Sequence, residues 1–191
     1  MTALVFDVMD RRDRLGVKGP RAAEWLVTQG IVLPMAPNSW THSIAAGSAA
    51  AAGDSDALLV ARLGSAEFFL EDASAGTTLR GISPALAANP PGVYPVLRED
   101  SAFQLSGAGV HEVLAQVCNV QFAALSLDAH AVIMTLMIGV AVLVVPQMMH
   151  AGTEAERRYR IWCDPTFGPS LIETLGVVVV ECGGIMRRVP A

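Results

Sequence analysis

The chain has 191 residues, 52% hydrophobic and 16% charged, with a net charge of −5 and a pI near 5.3. So apolar a chain folds rather than staying disordered, and its length suffices for one ordinary domain or two small fused halves. The acidic balance leaves no broad basic face for phosphate backbones, so nucleic acid is not an expected partner. The shortage of charge has two readings. Either apolar surface is left for a partner to cover, or alanine inflates the hydrophobic count without making adhesive patches.

Residues 1–13 are apolar and then charged, which predicts an arm. No positive stretch precedes the apolar residues and no cleavage site follows, so no signal peptide is expected. Residues 15–30 predict strand, turn and helix, with Pro20 in the first helical turn and Gly30 at the stop. Trp40 follows Pro37-Asn38-Ser39 on a predicted loop, where a large aromatic is hard to bury locally. It is the candidate interface residue, with packing on its own domain as the alternative. The alanine-rich stretch 44–53 predicts a loop, and Leu58–Leu63 with Glu67–Leu70 a hairpin around Gly64-Ser65. A helix over Thr77–Ala88 ends at Asn89-Pro-Pro-Gly92, the strongest punctuation in the chain. The boundary between two half-repeats, about 14–89 and 93–182, is expected there, within a single domain over 1–191.

The second half predicts strands over Val93–Leu97 and Ala102–Leu105, then a helix over Gly109–Cys118. Ala131–Val145 is apolar for about 15 residues, short of the roughly 20 that a spanning helix needs. Its β-branched content and Gly139 predict two consecutive buried strands over Val132–Val145, and no membrane segment. A loop over Gln147–Glu156, a strand over Tyr159–Cys163, a helix starting at Pro165 with Asp164 as cap, and a strand over Val177–Cys182 complete the prediction. Strands lie between helices in both halves, which favours an α+β sheet layered by helices.

Residues able to carry chemistry are sparse. His42, His111, His130 and His150 are scattered, and no pair has ligand spacing. Cys118 and Cys182 read as small core hydrophobes, whereas Cys163, near a predicted helix start, has a possible route to a lowered pKa. An odd cysteine count without a paired framework points to a reducing cytoplasm. The turns at Gly16–Gly19 and Gly107–Gly109 complete neither the dinucleotide fingerprint nor the P-loop. Glu67 and Asp72 sit at strand ends suited to an acid that meets a ligand, without further support for that role. No catalytic, cofactor-binding or metal residue is assigned. The arginines at 11, 12 and 14, at 157, 158 and 160, and at 187 and 188 predict solvated faces or, alternatively, a subunit contact.

The chain also says nearly the same thing twice. Gly19, Glu24 and Leu26 recur as Gly107, Glu112 and Leu114 at an offset of 88, and Phe68–Asp72 echoes Arg160–Asp164. An internally duplicated α+β unit, strand–helix–hairpin–helix, follows. Leu15-Gly-Val-Lys-Gly-Pro-Arg-Ala-Ala-Glu-Trp-Leu26, Pro37–Trp40, Leu59–Phe68 and Tyr94–Ser101 together resemble, in order and spacing over about 14–177, the gamma subunit of heterotetrameric sarcosine oxidase. That family is similar in turn to part of the glycine-cleavage T-protein, so the resemblance implies an aminomethyltransferase-type folate-binding fold. It further implies a non-catalytic subunit, with alpha, beta and delta partners carrying FAD, FMN, NAD, tetrahydrofolate and zinc. The complex would oxidise an N-methyl amine and pass the one-carbon unit to tetrahydrofolate, while this chain braces the folate domain of alpha. The competing expectation is a free-standing tetrahydrofolate-binding protein or one-carbon transferase.

Overall fold

The computed structural model describes residues 3–9, 12–43, 57–72, 77–151 and 154–189. The alanine-rich stretch 44–53 lies outside them. The fold is mixed α+β and divides into two compact units, residues 12–98 and residues 1–11 with 99–191.

The first strand of the chain, β1 (Val5–Met9), belongs to the second unit. The first unit then runs β2 (Arg14–Lys18), α1 (Ala22–Thr28), β3 (Ser39–Ser43), β4 (Leu58–Arg62), β5 (Glu67–Glu71), α2 (Thr78–Ala87) and β6 (Tyr94–Val96). Its sheet has the order β3-β4-β5-β2-β6, antiparallel throughout. Alternation sends Val17, Leu58, Val60, Phe68 and Leu70 to one face, where they pack with Ala22 and Leu26 of α1 and Leu79, Ile82 and Leu86 of α2. Gly30, at φ +79, ends α1 as expected. The strand expected to open the second half instead closes the first unit, because β6 pairs with β2 through Gly16↔Val96 and Lys18↔Tyr94.

The second unit continues with β7 (Ser101–Ser106), α3 (Val110–Val117), β8 (Ile133–Met137), β9 (Val140–Ala151), β10 (Glu154–Cys163), α4 (Gly168–Glu181) and β11 (Ile185–Val189). Its sheet has the order β11-β1-β7-β10-β9-β8, antiparallel except for the parallel pair β1–β11. The core joins Phe6, Phe103, Leu105, Val144, Tyr159 and Ile161 from the strands to Val113 and Leu114 of α3 and Leu171, Leu175 and Val179 of α4.

Four expectations are corrected here. The N-terminal arm is an inner strand: Phe6 and Val8 face the core, and buried Asp7 accepts hydrogen bonds from the Arg187 guanidinium at 2.8 and 3.1 Å. Val177–Cys182 is helical up to Glu181, because burial of Leu171, Leu175 and Val179 at a spacing of four overrides the strand propensity of four successive valines. The expected loop over Gln147–Glu156 is mostly strand, with β9 and β10 paired out to Ala151↔Glu154. The apolar run over Val132–Val145 is indeed a strand pair, turning at Ile138 and Gly139 with φ +51 and +80, the two-residue turn that suits strand twist. Its first strand is an edge strand, however, and Met134 and Leu136 are exposed rather than buried. No helix among the described residues is long and apolar enough to cross a membrane.

Candidate functional site

A hollow in the first unit lies where β5, β2 and β6 end side by side. Register sets Lys18 opposite Glu67 on one side and Tyr94 on the other. These residues, with Gly19, Gly64, Ser65 and Ala66, line a shallow hollow of about 340 Å³. Gly19 closes its floor: its φ is +126, its N–H donates to the Ala66 carbonyl at 2.9 Å, and a Cβ there would strike the Gly92 carbonyl and come within 2.9 Å of the Tyr94 ring. Glu67 lies 3.6 Å from the Arg98 guanidinium. Lys18 makes no hydrogen bond or ion pair among the described residues, and Tyr94 is 54% exposed.

Glu67 and Asp72 are not brought together. Glu67 begins β5, whereas Asp72 follows its far end, buried, and accepts the backbone N–H of Leu79 at 2.9 Å. Burial holds the Asp72 carboxyl above its ordinary range; the Leu79 N–H opposes this and the charge of Asp13 adds to it. Asp72 therefore secures the first turn of α2, as the strand-then-cap pattern predicted. Its counterpart does less: Asp164 accepts the Thr166 N–H at 2.8 Å in a local turn, and α4 begins only at Gly168.

Trp40 lies on β3, not on a loop, and is buried to 8% exposure with its ring edge-on to His42. Trp25 is half-buried on the core of the first unit. Cys163 is buried at the end of β10, where burial, followed by the charges of Asp100 and Asp164, pushes its thiol up to about 11. The expected route to a reactive thiol is thus reversed. His111 shares a 2.6 Å hydrogen bond with the hydroxyl of fully buried Tyr159. Burial and the neighbouring Arg157 hold the imidazole below its ordinary pKa, which favours the neutral ring. Phe122 stacks edge-on against Tyr159, so the pair is a satisfied polar pair set in the core. Among the described residues no group of three His, Cys, Asp or Glu side chains could hold a metal ion.

Sequence reasoning passed over Lys18, Arg62 and Tyr94. Lys18 and Tyr94 stand 76 positions apart and meet only through the β2–β6 pairing. Arg62 ends a strand, and nothing nearby in the sequence marks the four carbonyls it binds.

Two glycine-turned strand–helix junctions and mostly antiparallel sheets backed by helices make this an α+β fold similar to aminomethyltransferase structures. No protein-family model and no curated protein matches the chain. Among solved structures, it is similar to a chain of the heterotetrameric sarcosine oxidase from Corynebacterium sp. U-96 in complex with pyrrole 2-carboxylate. That match has 21% identity and a TM-score of 0.66, covering 96% of this chain and 87% of that one. It is also similar to the glycine cleavage system aminomethyltransferase T from Bartonella henselae, at 16% identity and a TM-score of 0.66. There the match covers 98% of this chain and 48% of the transferase, so the chain spans about half the length of that enzyme.

Proposed function

We propose that the chain is a small, non-catalytic gamma-type subunit of a flavin-dependent amine demethylase similar to heterotetrameric sarcosine oxidase. The observation that carries this is the match in both directions, 96% of this chain against 87% of a chain of that oxidase. It pairs two chains of nearly equal length, whereas the transferase is about twice as long. The chain braces the folate-binding domain of the large alpha subunit. Alpha, beta and delta carry FAD, FMN, NAD, tetrahydrofolate and zinc, and the assembly works in the cytoplasm. It oxidises an N-methyl amine and hands the one-carbon unit to tetrahydrofolate.

On this reading the two units are copies of one ancestral unit. Each runs strand, helix, three strands, helix, strand from β2 and from β7. Corresponding strands also keep one order, β3-β4-β5-β2-β6 against β8-β9-β10-β7-β11, with β1 inserted before the last. In support, Gly19 and Gly107 both have positive φ, and at both an added Cβ would strike a backbone carbonyl, that of Gly92 or Ala3.

The test is to purify the chain alone, record its visible absorption spectrum and titrate it with tetrahydrofolate in a calorimeter. A colourless, inactive protein without measurable folate binding is expected. A yellow, active monomer ends the subunit reading, and stoichiometric folate binding by the isolated chain favours a free-standing one-carbon protein.

A further inference from the structure

One guanidinium organises an end of the first unit. Arg62 donates from Nη1 to the carbonyls of Pro34 and Met35 at 3.4 and 3.0 Å, and from Nε and Nη2 to those of Gly64 and Ser65 at 3.3 and 3.0 Å. It thereby ties the 31–38 loop to the β4–β5 turn. The loop is fixed further by the Asn38 N–H on the Arg62 carbonyl at 2.8 Å and the Ser39 hydroxyl on the Ala36 carbonyl at 2.6 Å. At its tip Met35 is 97% exposed.

A lone exposed apolar residue means little, but one held on a pre-ordered backbone has already lost the loop entropy that binding would otherwise cost. On the other side of the clamp, Ser65 rims the hollow that contains Lys18 and Tyr94. The Lys18 ammonium there has no partner among the described residues, since Glu67 across from it is engaged by Arg98.

We propose that this Arg62-clamped end, presenting Met35, Tyr94 and Lys18, is the surface by which the chain docks onto the larger subunit of its complex. The proposal rests on the subunit reading above. The partner feature that fits is an apolar socket for the Met35 thioether and a carboxylate for Lys18; Tyr94, on β6 next to Lys18 of β2, supplies an aromatic anchor. Charge decides against a second copy of this chain. A copy would bring a second Lys18 to the contact, and the acid at this end, Glu67, already faces Arg98. Arg62 acts as a positioning residue, because lysine keeps its charge but cannot hold four carbonyls from one planar fork.

The experiment expresses the tagged full-length chain in its source organism and weighs the eluted assembly by native mass spectrometry, with its flavin read by absorbance. Met35→Asp, Lys18→Glu and Arg62→Lys are compared with Leu136→Asp on the exposed edge strand β8 of the second unit. Wild type and Leu136→Asp should elute with the flavin-bearing partner. Met35→Asp and Lys18→Glu should each weaken its retention by about tenfold or more. Arg62→Lys should weaken it less, with faster amide hydrogen exchange over the 31–38 loop. Retention by Met35→Asp and Lys18→Glu overturns the docking surface alone, as does loss confined to Leu136→Asp. A wild-type chain that elutes without a flavin-bearing partner overturns the subunit reading and this surface with it.

Discussion

Gly107 gives the sharpest physical prediction. It joins β7 to α3 at φ +94, and an alanine Cβ there would strike the Ala3 carbonyl oxygen and sit 3.0 Å from the Leu4 Cα. The left-handed backbone alone costs an alanine about 1–2 kcal/mol. Relieving the overlap requires moving Ala3 and Leu4, which lead directly into β1. That segment cannot move freely: the Leu4 carbonyl accepts the Ile185 N–H at 3.0 Å, and Phe6 and Val8 are buried. Overpacking of this kind adds about 1–3 kcal/mol, so Gly107→Ala should cost about 2–5 kcal/mol in all. Gly139 is the control, with φ +80 and nothing within 4 Å of its added Cβ. Gly139→Ala should therefore cost only the backbone share, about 1 kcal/mol. Urea titrations of both variants, followed by circular dichroism, measure the difference. Equal losses would show that the Ala3–Leu4 backbone does not press on the β7–α3 turn, and the placement of β1 would then be wrong.

Ile138 is a β-branched residue held at φ +51, so Ile138→Asn should raise stability by about 1 kcal/mol, measured as an increased urea midpoint; a decrease would mean that the side chain is needed where it is. Cys163 has its folded pKa raised from 9.0 to about 11, so the stability it contributes is present below 9 and lost as pH rises through 11. Alkaline titration should accordingly show a fall over that window, on the order of 2–3 kcal/mol, that Cys163→Ala removes, and a thiol reagent at neutral pH should label Cys182 ahead of the two buried cysteines. An unchanged alkaline profile in Cys163→Ala would refute the burial argument. Asp72 also has a raised folded pKa, so its contribution is present below the ordinary value of 3.8 and lost as pH rises through the folded one. Asp72→Asn keeps an acceptor for the Leu79 N–H and removes the buried charge; it should be at least as stable as wild type at neutral pH, and a large loss there would contradict this.

Local chemistry was legible wherever it was complete within a few residues. Gly30, the Gly64-Ser65 turn, Asn89–Gly92 and the Ile138-Gly139 reversal each specify their own geometry, and the elements between them followed. Long-range pairing was not legible. Val5–Met9 is a short apolar run whose parallel partner lies 180 residues later at Ile185–Val189, so nothing nearby distinguishes an inner strand from an arm. Val177–Val180 has the composition of a strand, and only its position three turns along a helix anchored by Leu171 and Leu175 decides otherwise. At the site, Trp40 was misplaced because its strand pairs with β4 across the stretch 44–56, and pairing rather than local propensity makes it a strand. Lys18 and Tyr94 became neighbours for the same reason, and Arg62 acts through carbonyls that no side-chain pattern reveals.

The subunit assignment is tested most directly by the mass and cofactor content of the assembly that forms around the chain in its own cell. Native mass spectrometry of the tagged wild-type protein should find one copy of it in a flavin-bearing heterocomplex that oxidises an N-methyl amine. A flavin-free monomer or homo-oligomer as the sole species would contradict the assignment.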